Sequence, residues 1–208
     1  MTSLCLPALI DADAAVRFFG RPRFGNGFGL FAQKAVLAVQ DDPGTRTLPF
    51  IERLWLPSFA VRVHATSPTK REQSVWTAVE GINGEFSLLE CDEELAEREL
   101  DGDVFPAMID ETRVAALARK GAMLYILRQR GLLNKPVVDA VEEIRPYHYP
   151  VWVCYYRRRG VFLDVMAQDA RTGRSGGPKM RISVLHALVA RKKELREAAE
   201  EQANAQTV

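Results

Sequence analysis

The segment Leu54-Trp55-Leu56-Pro57-Ser58-Phe59-Ala60-Val61-Arg62-Val63 reads like Tyr147-His148-Tyr149-Pro150-Val151-Trp152-Val153-Cys154-Tyr155-Tyr156. Both are aromatic-rich strand patterns carrying a proline, with an aromatic residue two positions later. A second strand follows each and ends in a turn, Val79-Glu80-Gly81-Ile82-Asn83-Gly84 in one case and Gln168-Asp169-Ala170-Arg171-Thr172-Gly173 in the other. The prolines are offset by 93 (150 − 57) and the turn glycines by 89 (173 − 84), so only the intervening loop changes length. A repeated supersecondary unit constrains architecture ahead of any single residue. The chain therefore reads as α+β: two tandem helix-plus-antiparallel-sheet repeats closed by a C-terminal helix.

The elements follow from local pattern. Asp11 or Asp13 caps a short helix that Gly20-Arg21-Pro22 ends. Residues 30–40 fit either a helical face or a buried strand, and the repeat favours a helix. Strands are expected over 50–56, 58–65, 74–80 and 86–91, with a hairpin-type turn at Asn83-Gly84. The acidic stretch 92–109 divides a first repeat at 1–91 from a second at 110–208, with one or two helical turns within Glu93–Leu100 and Phe105-Pro106 docked on the core. Asp110-Glu111-Thr112 opens a helix over 111–131 on which Val114, Leu117, Ala118, Gly121, Leu124 and Tyr125 share a face. Strands at 137–144, 150–156 and 161–168 follow, the last two joined by a tight Arg157-Arg158-Arg159-Gly160 hairpin. A final helix from Lys179 buries Ile182, Val184, Leu185, Leu188 and Val189, and its charged tail from Lys192 to Gln202 frays or projects.

Composition bounds the function classes. A chain of 208 residues, 47% apolar and 26% charged, is an ordinary globular protein. Its net charge of +1 excludes the global basic field that makes nucleic-acid binding a default. Acidic residues crowd 90–111 and basic ones 157–193, read as solvated faces complementary within the fold or between copies. Cys5, Cys91 and Cys154 have no short spacing, which fits neither a disulfide framework nor zinc and suits a reducing cytoplasm. The N-terminus lacks signal-peptide character, and no apolar run reaches the roughly 20 residues of a membrane span. Association with a membrane complex stays open.

Chemistry-bearing residues are sparse. Cys154 falls where the first copy has Val61, so it reads as a small core hydrophobe rather than a nucleophile. His64, His148 and His186 show no metal spacing, and no cofactor motif is present. Gly176, Gly177 and Lys179 precede a helix and are the candidate anion site, although turn formation alone explains such a run. Strand alternation makes both faces of 149–156 apolar or aromatic. Either the sheets pack on each other, or one face meets a partner. Trp55, Trp152, Tyr147, Tyr149 and Tyr155, with Arg157, Arg158 and Arg159, are the candidate interaction surface.

The unit Tyr149-Pro150-Val151-Trp152-Val153 followed by Asp169-Ala170-Arg171-Thr172-Gly173 resembles the strand–strand–D-A-x-T-G hairpin of PepSY-type domains, over about residues 110–176 and more faintly 28–90. The resemblance implies a non-catalytic inhibitory or regulatory module, often extracytoplasmic. The expectation is a non-catalytic subunit that binds a protein partner or a second copy. Two other readings stand beside it. One is a small-molecule or anion binder, or an enzyme, with a cleft between repeats lined by Trp152, Tyr147 and His148. The other is a single-stranded nucleic-acid binder using the arginine hairpin.

Overall fold

The computed structural model describes residues 2–21, 36–37, 48–67, 72–90, 92–129, 135–158 and 162–205. Among them lie nine strands, three α-helices and one 3₁₀ turn, a mixed α+β fold with a C-terminal helix. The strands are β1 (Thr2–Cys5), β2 (Val36–Leu37), β3 (Phe50–Thr66), β4 (Glu72–Glu80), β5 (Phe86–Leu88), β6 (Ala96–Glu99), β7 (Asp103–Val104), β8 (Val137–Arg158) and β9 (Phe162–Asp169). The helices are α1 (Ala12–Phe19), α2 (Glu111–Arg128) and α3 (Gly177–Ala205). The chain divides into two units, one of residues 1–7 and 55–150, the other of 8–54 and 151–208.

In the first unit the strand order is β5-β4-β3-β8-β1-β6, with β7 added on β3. β3 and β4 form an antiparallel hairpin whose register runs from Ser58↔Glu80 to Thr66↔Glu72. Alternation along β3 sends Phe59, Val61, Val63 and Ala65 to one face, where α2 covers them with Val114, Ala118 and Ala122. Spacing of four residues puts those three small or β-branched side chains on one stripe, so the helix lies close to the sheet. Its Gly121 carries that approach: a Cβ there would sit 2.2 Å from the Phe86 ring. A second cluster, Leu6, Ala60, Ala78, Leu89 and Tyr147, also fills this unit.

In the second unit β2 pairs parallel with the start of β3, Val36 facing Phe50. The end of β8 forms a hairpin with β9, from Val151↔Asp169 to Arg158↔Phe162. Ala15 and Phe19 of α1 pack with Ile51, Trp152, Cys154 and Ala170. Asp11 caps α1 by accepting the Ala14 N–H at 2.7 Å. Ser183, Val184 and Ala187 are the buried part of α3.

Several expectations change. Residues 50–56 and 58–65 are one strand, as are 137–144 and 150–156, because Pro57 and Pro150 lie just past the ends of the β4 and β9 pairings, where a missing N–H is tolerated. Of the expected helix at 30–40, Val36–Leu37 is extended and the rest lies outside the described residues. Glu93–Leu100 holds a 3₁₀ turn and then β6, held extended by pairing with β1. Phe105 is buried, as expected. On α3, Ile182 and Val189 are exposed rather than core, since the helix turns Ser183, Val184 and Ala187 inward.

Candidate functional site

Where α2 ends, the β3–β4 hairpin continues. The sheet face formed by Val63, Ala65, Val75 and Val138 and the last turns of α2 at Ala122 and Ile126 enclose a cavity of about 340 Å³. Its walls follow from sequence: β-branched residues alternate on the strands, and alanines at 65 and 122 leave space where larger side chains would meet. Val75 and Tyr125 are 47% and 42% exposed and form its open side. Gln73 and Gln129 supply amides to the lining, and among the described residues no charged side chain lines the cavity. The Thr77 hydroxyl in its wall donates to the Val61 carbonyl at 3.0 Å.

The outward side of the same turns of α2 is also apolar: Met123, Leu124 and Leu127 are exposed. Leu124 and Tyr125, expected in the core, face outward because the stripe Val114, Ala118, Ala122 sets the rotation of the helix.

On the opposite face of the hairpin lies a polar cluster. His64 Nδ1 and Asp139 Oδ1 are 2.6 Å apart, and the Thr66 hydroxyl donates to Asp139 Oδ2 at 2.6 Å. The Thr66 and His64 hydrogen bonds hold the Asp139 carboxyl at about 2, and the Asp139 bond raises His64 above its usual value. Arg62 and the Ser74 hydroxyl both reach Glu142 at 3.0 Å. Every partner here is a neighbouring strand residue, so the cluster fastens β3, β4 and β8 together.

In the second unit Asp164 is buried and accepts from Arg181 Nε at 3.0 Å, Val165 N–H at 2.8 Å and Tyr156 hydroxyl at 3.2 Å. Burial pushes its carboxyl up, but these donors outweigh burial and leave it below its ordinary value. The pair docks α3 on β9. Among the described residues no group of three or more His, Cys, Asp and Glu can hold a metal ion.

The comparisons name no relative. No protein-family model, curated protein or solved structure matches the chain.

The sequence-derived sites fare unevenly. Trp55, Trp152, Tyr147 and Tyr155 are at most 6% exposed, so these aromatics form core rather than an open interaction face. Trp55 Nε1 donates to the Asp101 carbonyl at 2.7 Å and Trp152 Nε1 to the Ile10 carbonyl at 2.8 Å, which satisfies the indoles inside their own units. Tyr155 stacks on Phe50 with centroids 4.5 Å apart, and the Arg53 guanidinium lies over Trp152. Tyr149 is half-buried, Arg157 is exposed, Arg158 ends β8, and Arg159 lies outside the described residues. Gly176 spends its N–H on the Ala167 carbonyl, which removes it from an anion nest. Gly177 adopts a φ of 64° at the start of α3, and Lys179 is exposed in its first turn.

Sequence reasoning missed Val75, Tyr125 and the glutamines of the cavity, which no motif marks. It also missed a second match, Leu6-Pro7-Ala8-Leu9-Ile10-Asp11 with Phe105-Pro106-Ala107-Met108-Ile109-Asp110, at an offset of 99 (105 − 6).

Proposed function

We propose that the chain is a tandem repeat acting as a non-catalytic, protein-binding subunit of a larger complex. Support for the repeat comes from hydrogen bonds that recur at the sequence offsets. Glu80 accepts the N–H groups of Ile82 and Asn83 at 2.9 and 2.7 Å, and Asp169 those of Arg171 and Thr172 at 2.8 and 3.1 Å. The following glycines, Gly84 and Gly173, have φ of 76° and 72°. Leu6 N–H donates to the His148 carbonyl and Phe105 N–H to the Trp55 carbonyl, at 3.2 and 3.0 Å. The likeness of 110–176 to PepSY-type regulatory modules points the same way, and the buried thiols of Cys5 and Cys154 suit a reducing cytoplasm.

One observation carries the binding role. α3 runs for 29 residues, yet up to residue 200 its last buried side chain is Ala187, and every residue from 192 to 200 is exposed. Ion pairs Lys193–Glu197 and Arg196–Glu200 support this length without any packing. Val189 and Leu195, 68% and 63% exposed, interrupt the polar surface. A helix carried past its own core, with apolar side chains facing water, offers a partner a docking surface.

The test compares the full chain with one ending at Arg191. Affinity purification from native extract should recover a stoichiometric partner with the full chain only, while both forms show the same melting transition. A full chain that sediments alone as a monomer at physiological concentration sinks the proposal.

A further inference from the structure

We propose that the cavity beneath the last turns of α2 binds a neutral, mainly apolar small molecule. This goes beyond the protein-binding role, which rests on α3 in the other unit.

Three observations converge. The first is size: about 340 Å³ lies within the range of small-molecule sites. At the roughly 30 Å³ that a water-sized group occupies in a liquid, it holds on the order of ten heavy atoms.

The second is chemistry. Valine, alanine, leucine, isoleucine and proline make up most of the lining, and among the described residues no Asp, Glu, Lys, Arg or His contributes to it. A charged ligand would lose its hydration with no opposite charge among the described lining residues to replace it. The buried hydroxyl of Thr77 is already committed to Val61, so the deep part asks for hydrocarbon. Gln73 and Gln129 let one hydroxyl, ether or amide be satisfied.

The third is construction. Gly121 brings α2 against Phe86 so closely that no side chain fits between them, whereas the turn from Ala122 to Ile126 meets the strands with a small residue on each side, Ala122 and Ala65. The same helix is therefore tightly packed on one side of Gly121 and hollow on the other. Larger side chains at either alanine would close the hollow that the end of α2 leaves over the hairpin.

The probe is 1-octanol, compared with octanoate and octylammonium at pH 7, titrated into the full chain and followed by amide chemical shifts. Octanol should shift amides at Ala65, Val75, Ala122 and Tyr125. Affinity should rise about fourfold per methylene from butanol to octanol, then level off once the cavity is full. Both ions should bind at least tenfold more weakly. Ala122→Leu and Ala65→Leu should each abolish octanol binding without lowering the melting temperature. If neither variant folds, the chain-length series and the charge comparison on the unaltered chain decide. Absence of octanol shifts up to its solubility, equal binding of octanoate, or unchanged binding to a folded Leu variant overturns the site. None of these outcomes affects the role of α3.

Discussion

His64 and Asp139 are joined across neighbouring strands, and their linkage runs in opposite directions. Asp139 is depressed to about 2, so its contribution is present above the unfolded value of about 4 and lost as pH falls through about 2. His64 is raised, so its contribution is full below about 6.5 and lost as pH climbs through the higher folded value. The pair is therefore most useful between about pH 4 and 6.5. Melting temperatures of the natural chain and Asp139→Asn should differ most in that window and converge at about pH 2; a constant difference across the range contradicts the pairing. Gly121 gives a second residue-scale prediction. Alanine in a helix interior normally gains about 1 kcal/mol over glycine, but here its Cβ meets the Phe86 ring at 2.2 Å. Overpacking of this kind costs about 1–3 kcal/mol, so Gly121→Ala should destabilise. In a Phe86→Leu background, where the ring is gone, the same change should stabilise. Urea unfolding of the four chains checks the reversal of sign.

At the scale of elements, α1 and α2 begin alike: Asp11 accepts Ala14 N–H at 2.7 Å, and Asp110 accepts Arg113 N–H at 2.8 Å. Replacing either aspartate by alanine should cost about 1 kcal/mol, and by asparagine little. Chemical denaturation of the two pairs of variants tests this. These caps were legible because a carboxylate before an apolar stripe has a local cause. The turns ending at Gly84 and Gly173 were legible from Asn83-Gly84 and Asp169-Ala170-Arg171-Thr172-Gly173, whose glycines take φ of 76° and 72°. The bonds that the Glu80 and Asp169 side chains accept from N–H groups two and three residues on were not. The cavity was not legible. It depends on where α2 stops relative to the end of the hairpin, which no local pattern records. The 3.6 period put Val114 and Ala118, which are core, on one face with Leu124 and Tyr125. At the C-terminal end Ala122 takes the inward place and Leu124 and Tyr125 are exposed, because the strip that fits against β3 runs at a spacing of four. The aromatic strands were legible only as a choice. Two apolar strand faces allowed either packing within the fold or an open face, and Trp55 and Trp152 are buried, each indole donating to a backbone carbonyl in its own unit.

Over the whole molecule, neither unit is a continuous stretch of chain. The first takes its β3–β4 hairpin from before residue 100 and α2 with the start of β8 from after it; the second takes α1 from before and β9 and α3 from after. Each hydrophobic cluster mixes the two sources: Val61 and Val79 meet Val114 and Val138, and Ala15 and Ile51 meet Trp152 and Ala170. A fragment ending at the exposed Gly102 therefore leaves Val61 and Val79 without α2 over them, and its complement leaves Val114 and Ala118 without a sheet. Burying such side chains contributes about 1.5–3 kcal/mol each, so neither fragment retains enough of a core to offset its chain entropy. Mixed, they regain every cluster, because the cut falls between β6, which pairs with β1, and β7, which pairs with β3. Fragments 1–102 and 103–208 should each lack a cooperative melting transition alone, and should co-elute as a one-to-one complex with a native-like circular dichroism spectrum when co-expressed. Cooperative melting of 103–208 as a lone monomer would show that the second half carries a core of its own and that the interleaving is not needed for folding.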